Sequence, residues 1–491
     1  MRYSGENMSS KENKYRIALD GGKVAGVPPD FLSLTIDISL ILGGHWWGEG
    51  KGTSKGVAKE RVEPLDLGDA RLARLARELA PAMLRIGGTE ADRTGYRVKK
   101  KWASTLAASN SSYEYLIDKK LWKSVNAFAR KAGFEILFVI GAGPMTRDGA
   151  GAWSSGNARK LIAYAAKKKL PITAWELGNE VNGYPFVHGF RNRVSGARYA
   201  EDFADFSRLV RELHPGARAV GPGSSVWPVF GEVNPMLPAF ARSAKLSPTD
   251  VVSWHYYPQQ SGRAFLADRR ATEKRLLAPR RLDSVRKHAR SLRALAGGRE
   301  CWMTETGHAL YGGESGLSDS YCSSIWWLDQ LGVLAREGTS RVFRQSLTGA
   351  DYGLLDQAGF APRPDYYASF LWKRLMGPDV FQSPKIEGPD NRLRAYRHSS
   401  APSGDSSSVL LINLGNREAR VAFEGFPRER YIVSPRRGLR SRDILMNGIP
   451  VEEDLVFSWA KKRTIKKYGI HEAGEPFVEL PAYSYAFIVI D

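Results

Sequence analysis

The sequence predicts an α/β protein made of a (β/α)8 (TIM) barrel with a second, smaller β-sandwich domain. Between residues 31 and 345, eight short apolar runs alternate with helical patterns in which apolar residues recur at three- and four-residue spacing. Eight repeats of strand and helix are the pattern of a parallel barrel. From residue 392 onward, short alternating runs are separated by Gly, Pro and Asn, which is typical of antiparallel sheets.

The eight predicted strands are apolar and are connected by segments long enough to cross back over the sheet. They are Phe31–Asp37, Ala82–Ile86, Glu135–Ile140, Ile172–Glu176, Ala217–Val220, Val251–His255, Glu300–Thr304 and Ser340–Gln345. Several of them are followed by a glycine that we interpret as a turn, including Gly178 and Gly221. The helical patterns between them are Ala70–Leu79, Leu121–Ala132, Ala197–Leu213, Leu282–Leu295 and Ser318–Ala335.

The predicted domains are a barrel over residues 30–377 and a sandwich built from residues 12–29 together with 378–491. The sandwich is discontinuous because the weak strand Tyr15–Leu19 cannot stand alone and needs a distant partner. The chain carries 72 Lys and Arg against 52 Asp and Glu, a net charge of +20. So large an excess predicts a polyanionic partner, and nucleic acid, anionic lipid and sulfated polysaccharide all fit it.

Other classes of protein fit the sequence poorly. The two cysteines, Cys301 and Cys322, make no disulfide framework and are expected to be buried thiols. The segment Met1–Arg16 lacks the apolar core of a signal peptide, and no run approaches the ~18 apolar residues of a membrane helix. We therefore expect a soluble protein whose compartment is unknown. The eight histidines are dispersed, so no metal and no cofactor are predicted.

Two glutamates close predicted barrel strands. Glu180 follows strand four in Trp-Glu-Leu-Gly-Asn-Glu, and Glu305 follows strand seven in Trp-Met-Thr-Glu. Strand ends meet at the active-site face of a barrel, and retaining glycosidases use two carboxyl groups about 5–5.5 Å apart. Asn179 is placed to hold a sugar 2-hydroxyl. The alternative is that each glutamate is only an ion-paired residue at a strand end.

Other strand ends offer polar groups to the same mouth. His255 and Tyr257 follow strand six two residues apart, so both are predicted to reach the nucleophile, unless they serve only packing. Asp37 ends strand one and Thr89 follows strand two. Either could instead cap a helix.

The sequence resembles the heparanases of glycoside hydrolase family 79, a clan A family. The resemblance runs from about Phe31 to the last residue and rests on motifs in the same order and spacing. They are Leu84-Arg85-Ile86-Gly87-Gly88-Thr89, Trp175-Glu176-Leu177-Gly178-Asn179-Glu180, Glu305-Thr306 with Tyr311-Gly312-Gly313, Leu317-Ser318-Asp319, Trp327-Leu328-Asp329, Arg344-Gln345 and Leu480-Pro481-Ala482-Tyr483-Ser484-Tyr485.

The resemblance implies a retaining β-glucuronidase, with Glu180 as acid/base and Glu305 as nucleophile. It also implies that the amides of Gly312 and Gly313 bind the glucuronate carboxylate, with Tyr352 as a hydroxyl partner. The remaining residues implied around the sugar are Asp37, Thr89, Asn179, Tyr311 and Gln345.

The sequence departs from the mammalian members in two ways. The stretch from Asp92 to Phe134 is too short for their excised linker, so we expect activity without proteolytic processing. Their basic clusters are not reproduced letter for letter. Lys99, Lys100 and Lys101 are predicted to bind sulfate, whereas Arg286, Lys287, Arg290 and Arg293 fit a solvated helix face.

These observations predict a monomeric endo-β-glucuronidase acting on heparan sulfate, heparin or a related glycosaminoglycan, with no nucleic-acid partner. Extracellular action fits such a substrate. Two alternatives stay open: an exo-β-glucuronidase of the same family, and a non-catalytic polyanion-binding protein on an inactivated barrel. The second predicts salt-sensitive binding without turnover.

Overall fold

A computed structural model describes residues 13–47, 60–100, 113–228, 231–264, 270–401, 406–423, 427–458 and 477–490. Eight parallel strands form a closed barrel, in which each strand pairs with the next and the eighth pairs with the first. The fold prediction is therefore confirmed. The barrel strands are Leu32–Asp37, Ala82–Gly87, Phe134–Ile140, Ile172–Leu177, Arg218–Trp227, Val251–Tyr256, Cys301–Thr306 and Arg341–Arg344.

The helices place their apolar faces against the barrel and end where the sequence provides caps. In Lys119–Ala132, for example, the Asp118 carboxylate accepts the Leu121 N–H at 2.8 Å, and Gly133 ends the helix at φ +70°. The α-helices are Ile38–Leu42, Ala70–Arg77, Lys119–Ala132, Gly156–Lys167, Tyr184–Val187, Gly196–Leu213, Leu237–Ala241, Glu273–Leu276, Pro279–Leu282, Ser284–Leu295, Tyr321–Arg336, Pro364–Leu375 and Asp454–Ser458.

Strand five is longer than predicted. It continues through Gly221 to Trp227, and its pairing with strand six shifts register between Gly221 and Ser224. Gly221 is therefore not a turn residue. A Cβ there would overlap the hydroxyl of Tyr199 on the covering helix, so the glycine serves close packing of helix and strand.

The barrel interior is layered. Its lower layer takes one apolar side chain from each of strands two to eight: Met83, Leu137, Ala174, Val220, Val251, Trp302 and Phe343. Two residues further along the same faces, four of these strands carry buried polar side chains: Arg85, Glu176, Ser253 and Thr304. An apolar floor thus supports a polar layer directly below the mouth.

Most of the remaining strands form two packed sheets; the others make the pairs 45–46 with 60–61, 94–97 with 115–118 and 259–260 with 309–310, and 231–232 pairs with strand five. The eight-stranded sheet has the order 23–26, 376–381, 393–400, 407–413, 485–490, 427–435, 444–446 and 449–450, and the four-stranded sheet has the order 385–387, 14–18, 419–423 and 477–480. Strand Lys14–Ala18 pairs in parallel with Ala419–Phe423. The strand Met376–Phe381 crosses the boundary that we predict at residue 377, so the division into domains stays a prediction.

The larger sheet is buried on both faces. Val409 and Leu411 pack toward the smaller sheet, whereas the alternate residues Leu410 and Ile412 belong to the apolar cluster shared with the barrel. A buried ion pair joins this sheet to the helices of the barrel. Arg394 of the sheet contacts Asp329 of helix Tyr321–Arg336 at 2.9 Å. Among the described residues, no helix is both long enough and apolar enough to cross a membrane.

Candidate active site

Glu180 lies just beyond strand four in a strained backbone conformation. Its φ is +49°, which non-glycine residues seldom adopt, and its N–H donates to the Gly223 carbonyl at 3.1 Å. Gly178, at φ +75°, makes the preceding turn, and a Cβ there would overlap Val181. Strain of this kind is kept where the surroundings require one side-chain direction. Here the direction is toward the barrel mouth.

Glu180 and Glu305 face each other across that mouth. Carboxylate oxygens of the two residues and a ring nitrogen of His255 all lie within 4.8 Å of one another. His255 Nδ1 is 3.0 Å from Glu180 Oε1 and 4.0 Å from Glu305 Oε2. The sequence interpretation placed His255 on the nucleophile, Glu305. In the structure the hydrogen bond of His255 goes to Glu180, and the 4.0 Å to Glu305 is too long for a hydrogen bond.

Glu305 has two close donors. Tyr257 donates its hydroxyl to Oε1 at 2.5 Å, and Arg85 donates from Nη1 to Oε2 at 2.9 Å. Strand seven shifts its register against strand eight between Met303 and Thr306, and Thr304 and Glu305 both face the interior network. The Glu305 side chain is only 10% exposed.

Arg85 ties the site together from the polar layer below. Its Nε donates to Glu176 at 2.7 Å, its Nη1 to Glu305 at 2.9 Å and its Nη2 to the Asn179 side-chain oxygen at 2.8 Å. Each of the three guanidinium nitrogens thus donates to a residue at or below the mouth. One cation thereby fixes the positions of the nucleophile candidate and of the residue beside the acid candidate.

Glu176 is fully buried and anchors Arg85 from below. Burial opposes its ionisation, but the Arg85 charge and hydrogen bonds from Arg85 and Ser253 together lower its pKa below the usual value. Arg85 and Glu176 were not among the predicted site residues. The available signal was a charged residue inside an apolar strand, Leu-Arg-Ile and Trp-Glu-Leu, which burial alone does not explain.

Asp37 borders the site from strand one. Its carboxylate caps helix Ile38–Leu42 by accepting the Ser39 N–H at 2.9 Å, so the helix-cap alternative is correct for its hydrogen bond. Burial raises its pKa well above the usual value, and the charges of Glu90 and Glu305 add to the shift. Thr89 is half-buried and begins the 3-10 turn Thr89–Arg93.

The loop Tyr311–Gly313 has three successive positive φ values, +66°, +80° and +87°. Buried Arg263 holds it through the carbonyls of Tyr311 and Gly313, at 3.2 and 2.8 Å. In the part of the chain that the structure describes, the Gly312 and Gly313 N–H groups donate to no protein acceptor. Such a concave run of amides suits an anion. A Cβ at Gly312 would overlap Trp47, so only glycine fits there.

Tyr352 and Gln345 lie beside the nucleophile candidate. Gln345 accepts a hydrogen bond from the Thr35 hydroxyl. Tyr352 is buried, which raises its pKa well above the usual value, and the negative charge of Glu305 raises it further. Tyr352 is therefore a neutral hydroxyl at physiological pH, a state that suits donation to a substrate oxygen.

The Glu180–His255–Glu305 group has the spacing of a metal site. Arg85, however, places a fixed positive charge 2.9 Å from Glu305, and His255 already bonds to Glu180. A guanidinium against one donor disfavours a second cation there. The Arg85 charge therefore argues against a metal ion held by these three side chains.

Lys99 and Lys100 lie in a basic groove, away from the glutamate pair; Lys101 lies outside the described residues. The groove has a volume of about 1800 Å³ between helices Lys119–Ala132 and Gly156–Lys167, and Asp118 is the one acidic residue among the described residues of its lining. Its cationic lining residues are Arg97, Lys99, Lys100, Lys119, Lys123, Arg130, Lys160, Lys167 and Lys168. Within the described ranges these lysines form no ion pair.

The second basic region differs. Arg290 pairs with Glu337 at 2.6 Å, and Arg286 pairs with Asp283 at 3.1 Å and with Glu337 at 3.4 Å. Its positive charge is largely neutralised by its own neighbours, as expected of a solvated helix face.

A family model, the glycosyl hydrolase family 79 N-terminal domain, matches residues 23–332. This chain belongs to glycosyl hydrolase family 79. It is 30% identical to heparanase-like protein 3 of Arabidopsis thaliana, over 81% of this chain and 73% of that protein. It is 28% identical to the heparanase of Gallus gallus, over 95% of this chain and 93% of that protein.

A further relative sets a limit on what the family alone implies, and a solved structure shares the fold. The chain is 28% identical to the human inactive heparanase-2, over 70% of this chain and 60% of that protein. Among solved structures, a 4-O-α-L-rhamnosyl-β-D-glucuronidase from Fusarium oxysporum matches with a TM-score of 0.66 and 13% identity, over 97% of this chain and 100% of that chain. The family-79 chain is a heparanase-like glycosidase.

Proposed function

We propose that this family-79 glycosidase is a retaining endo-β-glucuronidase that cleaves glucuronide bonds within heparan sulfate, heparin or a related glycosaminoglycan. The observation that carries the proposal is the pair of carboxyl groups at the mouth, with oxygens within 4.8 Å. Retaining enzymes keep the two carboxyl groups about 5–5.5 Å apart, whereas inverting enzymes leave about 6.5–9.5 Å for a water.

The partners of the two glutamates support one assignment of roles. Glu305, beside the Arg85 guanidinium and the Tyr257 hydroxyl, is the carboxylate that attacks the anomeric carbon. Glu180 gives its proton to the leaving oxygen as the glycosidic bond breaks and the Glu305–sugar ester forms. His255, 3.0 Å from Glu180, holds that carboxyl in position.

In the second half of the reaction, Glu180 takes a proton from water. The oxygen of that water bonds to the anomeric carbon, the ester bond breaks, and Glu305 leaves as a carboxylate. Each glutamate thus returns to its starting state. Asn179, whose side-chain oxygen is fixed by Arg85, is directed at the sugar 2-hydroxyl, where a hydrogen bond strengthens in the transition state.

Specificity for glucuronate rests on the glycine loop. The unbonded amides of Gly312 and Gly313 are suited to a carboxylate, and Tyr352 adds a neutral hydroxyl. Asp37, Thr89, Tyr311 and Gln345 would complete the sugar-binding wall. A neutral sugar at the same position would leave the amides without an acceptor, which is costly in a buried site.

The basic groove supports a polymeric, anionic substrate. Among the described residues its lysines form no ion pair, so they can bind sulfate and carboxylate groups along a chain, away from the cut. We propose that the protein acts as a single uncut, monomeric chain. Catalytic residues do not separate endo from exo action, and the exo-β-glucuronidase remains the second candidate.

The first experiment combines two measurements on the intact chain. Heparan sulfate is sized by gel filtration after incubation, and chromophore release from an aryl β-glucuronide is followed in parallel. Early collapse of chain length is expected. Chromophore release with intact polymer would instead identify the exo enzyme. The absence of both signals would favour the non-catalytic polyanion-binding protein.

A second experiment tests the groove. Lys99→Ala with Lys100→Ala should weaken heparin binding and flatten its dependence on salt, because two contacts that release counterions are lost. Lys287→Ala with Arg290→Ala is the control, since it removes the same formal charge from the second basic region. Equal salt dependence in the two variants would contradict a specific role for the groove.

A further inference from the structure

Three exposed apolar residues follow Glu180 closely in the chain. Phe186 is 55% exposed, Val187 38% and Phe190 77%, and they are half of the six large exposed hydrophobics among the described residues. The Phe186 ring lies 5.9 Å from the Phe190 ring and 5.5 Å from the Trp227 ring. We call these three rings the aromatic platform. A contiguous exposed apolar surface of this kind usually marks a binding site.

The aromatic platform is fixed to the same strand ends as Glu180. Trp227 is the last residue of strand five. Asn182, between Glu180 and Phe186, donates to the carbonyls of Ser225 and Val233 at 2.9 and 3.0 Å and accepts the Ser225 N–H at 2.9 Å. The rings are therefore positioned by hydrogen bonds to the barrel rather than carried on a free loop.

We propose that the aromatic platform is a binding subsite for a sugar ring on the leaving-group side of the cut. The inference rests on the proposed function, in which Glu180 protonates the leaving oxygen. The sugar that carries this oxygen must then lie on the Glu180 side of the pair, and Phe186 and Phe190 are the exposed rings of the segment that follows Glu180. The C–H face of a pyranose is apolar and packs on aromatic rings, which present a large apolar surface at little entropic cost.

The charges around the platform fit an acidic or sulfated sugar. Arg191 and Arg193, both exposed, follow Phe190 in the chain. Arg93, which pairs with Glu114 at 3.2 Å, donates to the Val187 carbonyl at 3.3 Å. The subsite thus offers rings for the sugar face and cations for its substituents. A protein partner is a weaker match, because stable interfaces use about 20–30 residues a side and the platform has three rings.

The test compares a substrate whose leaving group is a sugar chain with a substrate whose leaving group is a fluoride ion. An unsulfated glucuronate–N-acetylglucosamine tetrasaccharide places sugars on the platform, whereas β-glucuronyl fluoride releases an ion that cannot stack. For Phe186→Ala and Phe190→Ala, the ratio of kcat/KM for tetrasaccharide to that for fluoride should fall about three- to tenfold each. Ile449→Ala, which removes a 60% exposed side chain in the sandwich, is the control and should leave the ratio unchanged.

The outcomes separate the subsite from the proposed function. An unchanged ratio in the double variant Phe186→Ala/Phe190→Ala would overturn the subsite. Turnover of the fluoride in the same assay would still support the glycosidase activity. A wild-type protein that turned over neither substrate would overturn the function, and calorimetric titration of the tetrasaccharide into Glu305→Gln, with and without the double change, would then decide the subsite alone. An unchanged ratio with a loss of self-association in gel filtration would identify a protein interface instead.

Discussion

Glu305 and Glu180 share one mouth but have different surroundings. Glu305 is 10% exposed and accepts hydrogen bonds from a guanidinium and a phenol. Glu180 is 19% exposed, lies on a strained backbone and meets an imidazole. A fixed cation suits a group that must stay an anion until it attacks, whereas a more open position beside a histidine suits a group that exchanges protons with substrate and water. The partners, more than the strand ends, distinguish the two roles that we propose.

The largest effect is expected from Glu305→Gln. The amide keeps the size of the side chain but cannot form the ester with the anomeric carbon, so kcat/KM on an aryl β-glucuronide should fall by on the order of 10⁴-fold or more. Circular dichroism and thermal unfolding would verify that the fold is intact. A rate within tenfold of the wild type would reverse the assignment of the two glutamates.

Glu180→Ala should produce the next largest loss, on the order of 10²–10⁴-fold, and the loss should depend on the leaving group. Substrates with sugar leaving groups need the proton most and should suffer most. Added azide, which needs no base, should restore turnover and yield a β-glucuronyl azide detectable by mass spectrometry. Rescue of Glu305→Ala to the same β product, with none for Glu180→Ala, would show that the roles are exchanged.

Tyr257→Phe isolates one partner of Glu305. Loss of a hydrogen bond to a charged group predicts a fall in kcat/KM of about tenfold to 100-fold, with little effect on folding stability. The neighbouring Tyr256→Phe is the matched control, because that hydroxyl meets Ser284 at 2.5 Å rather than a site carboxylate. If both variants behaved alike, the special environment of Glu305 would lose its support.

The smallest effect on turnover is expected on the Glu180 side, from Asp92→Asn. Burial raises the pKa of Asp92 to about 6, and its carboxylate accepts the N–H groups of Ala142 and Asn179 at 2.9 and 3.2 Å. One acceptor survives in the amide, so turnover should change only about threefold.

The same substitution has a pH signature. Because the folded pKa of Asp92 lies above its unfolded value of about 3.9, ionisation costs the folded state, and the free energy of unfolding falls as pH rises from about 4 through 6. Asp92→Asn should lack that component. Urea unfolding of the wild type and of Asp92→Asn at pH 4, 5, 6 and 7 measures this difference. If the free energy of unfolding depended on pH in the same way in the two proteins, the raised pKa of Asp92 would be refuted.

Much of this molecule follows from local pattern. The eight strands and the positions of Glu180 and Glu305 could be predicted because buried parallel strands are apolar and end abruptly in polar residues. The Arg85–Glu176 pair could not, because strands two and four are not neighbours and meet only across the closed interior. The partner of His255 likewise could not be predicted, because Glu180 and Glu305 both approach its ring in the closed barrel, at 3.0 and 4.0 Å. The predicted strand five ends too early, because a glycine such as Gly221 after an apolar run is typical of a turn.

The larger sheet has a consequence for how the protein is made. Its strand Tyr485–Ile490 lies between Ser407–Asn413 and Pro427–Pro435, and the smaller sheet pairs Lys14–Ala18 with Ala419–Phe423. During synthesis, the barrel leaves the ribosome long before the strand that completes the sheet packed against it. Strand Lys14–Ala18 is synthesised some four hundred residues before Ala419–Phe423, the strand with which it pairs in parallel. Folding should therefore finish only after translation, with the unpaired sheet edges exposed to chaperones until then.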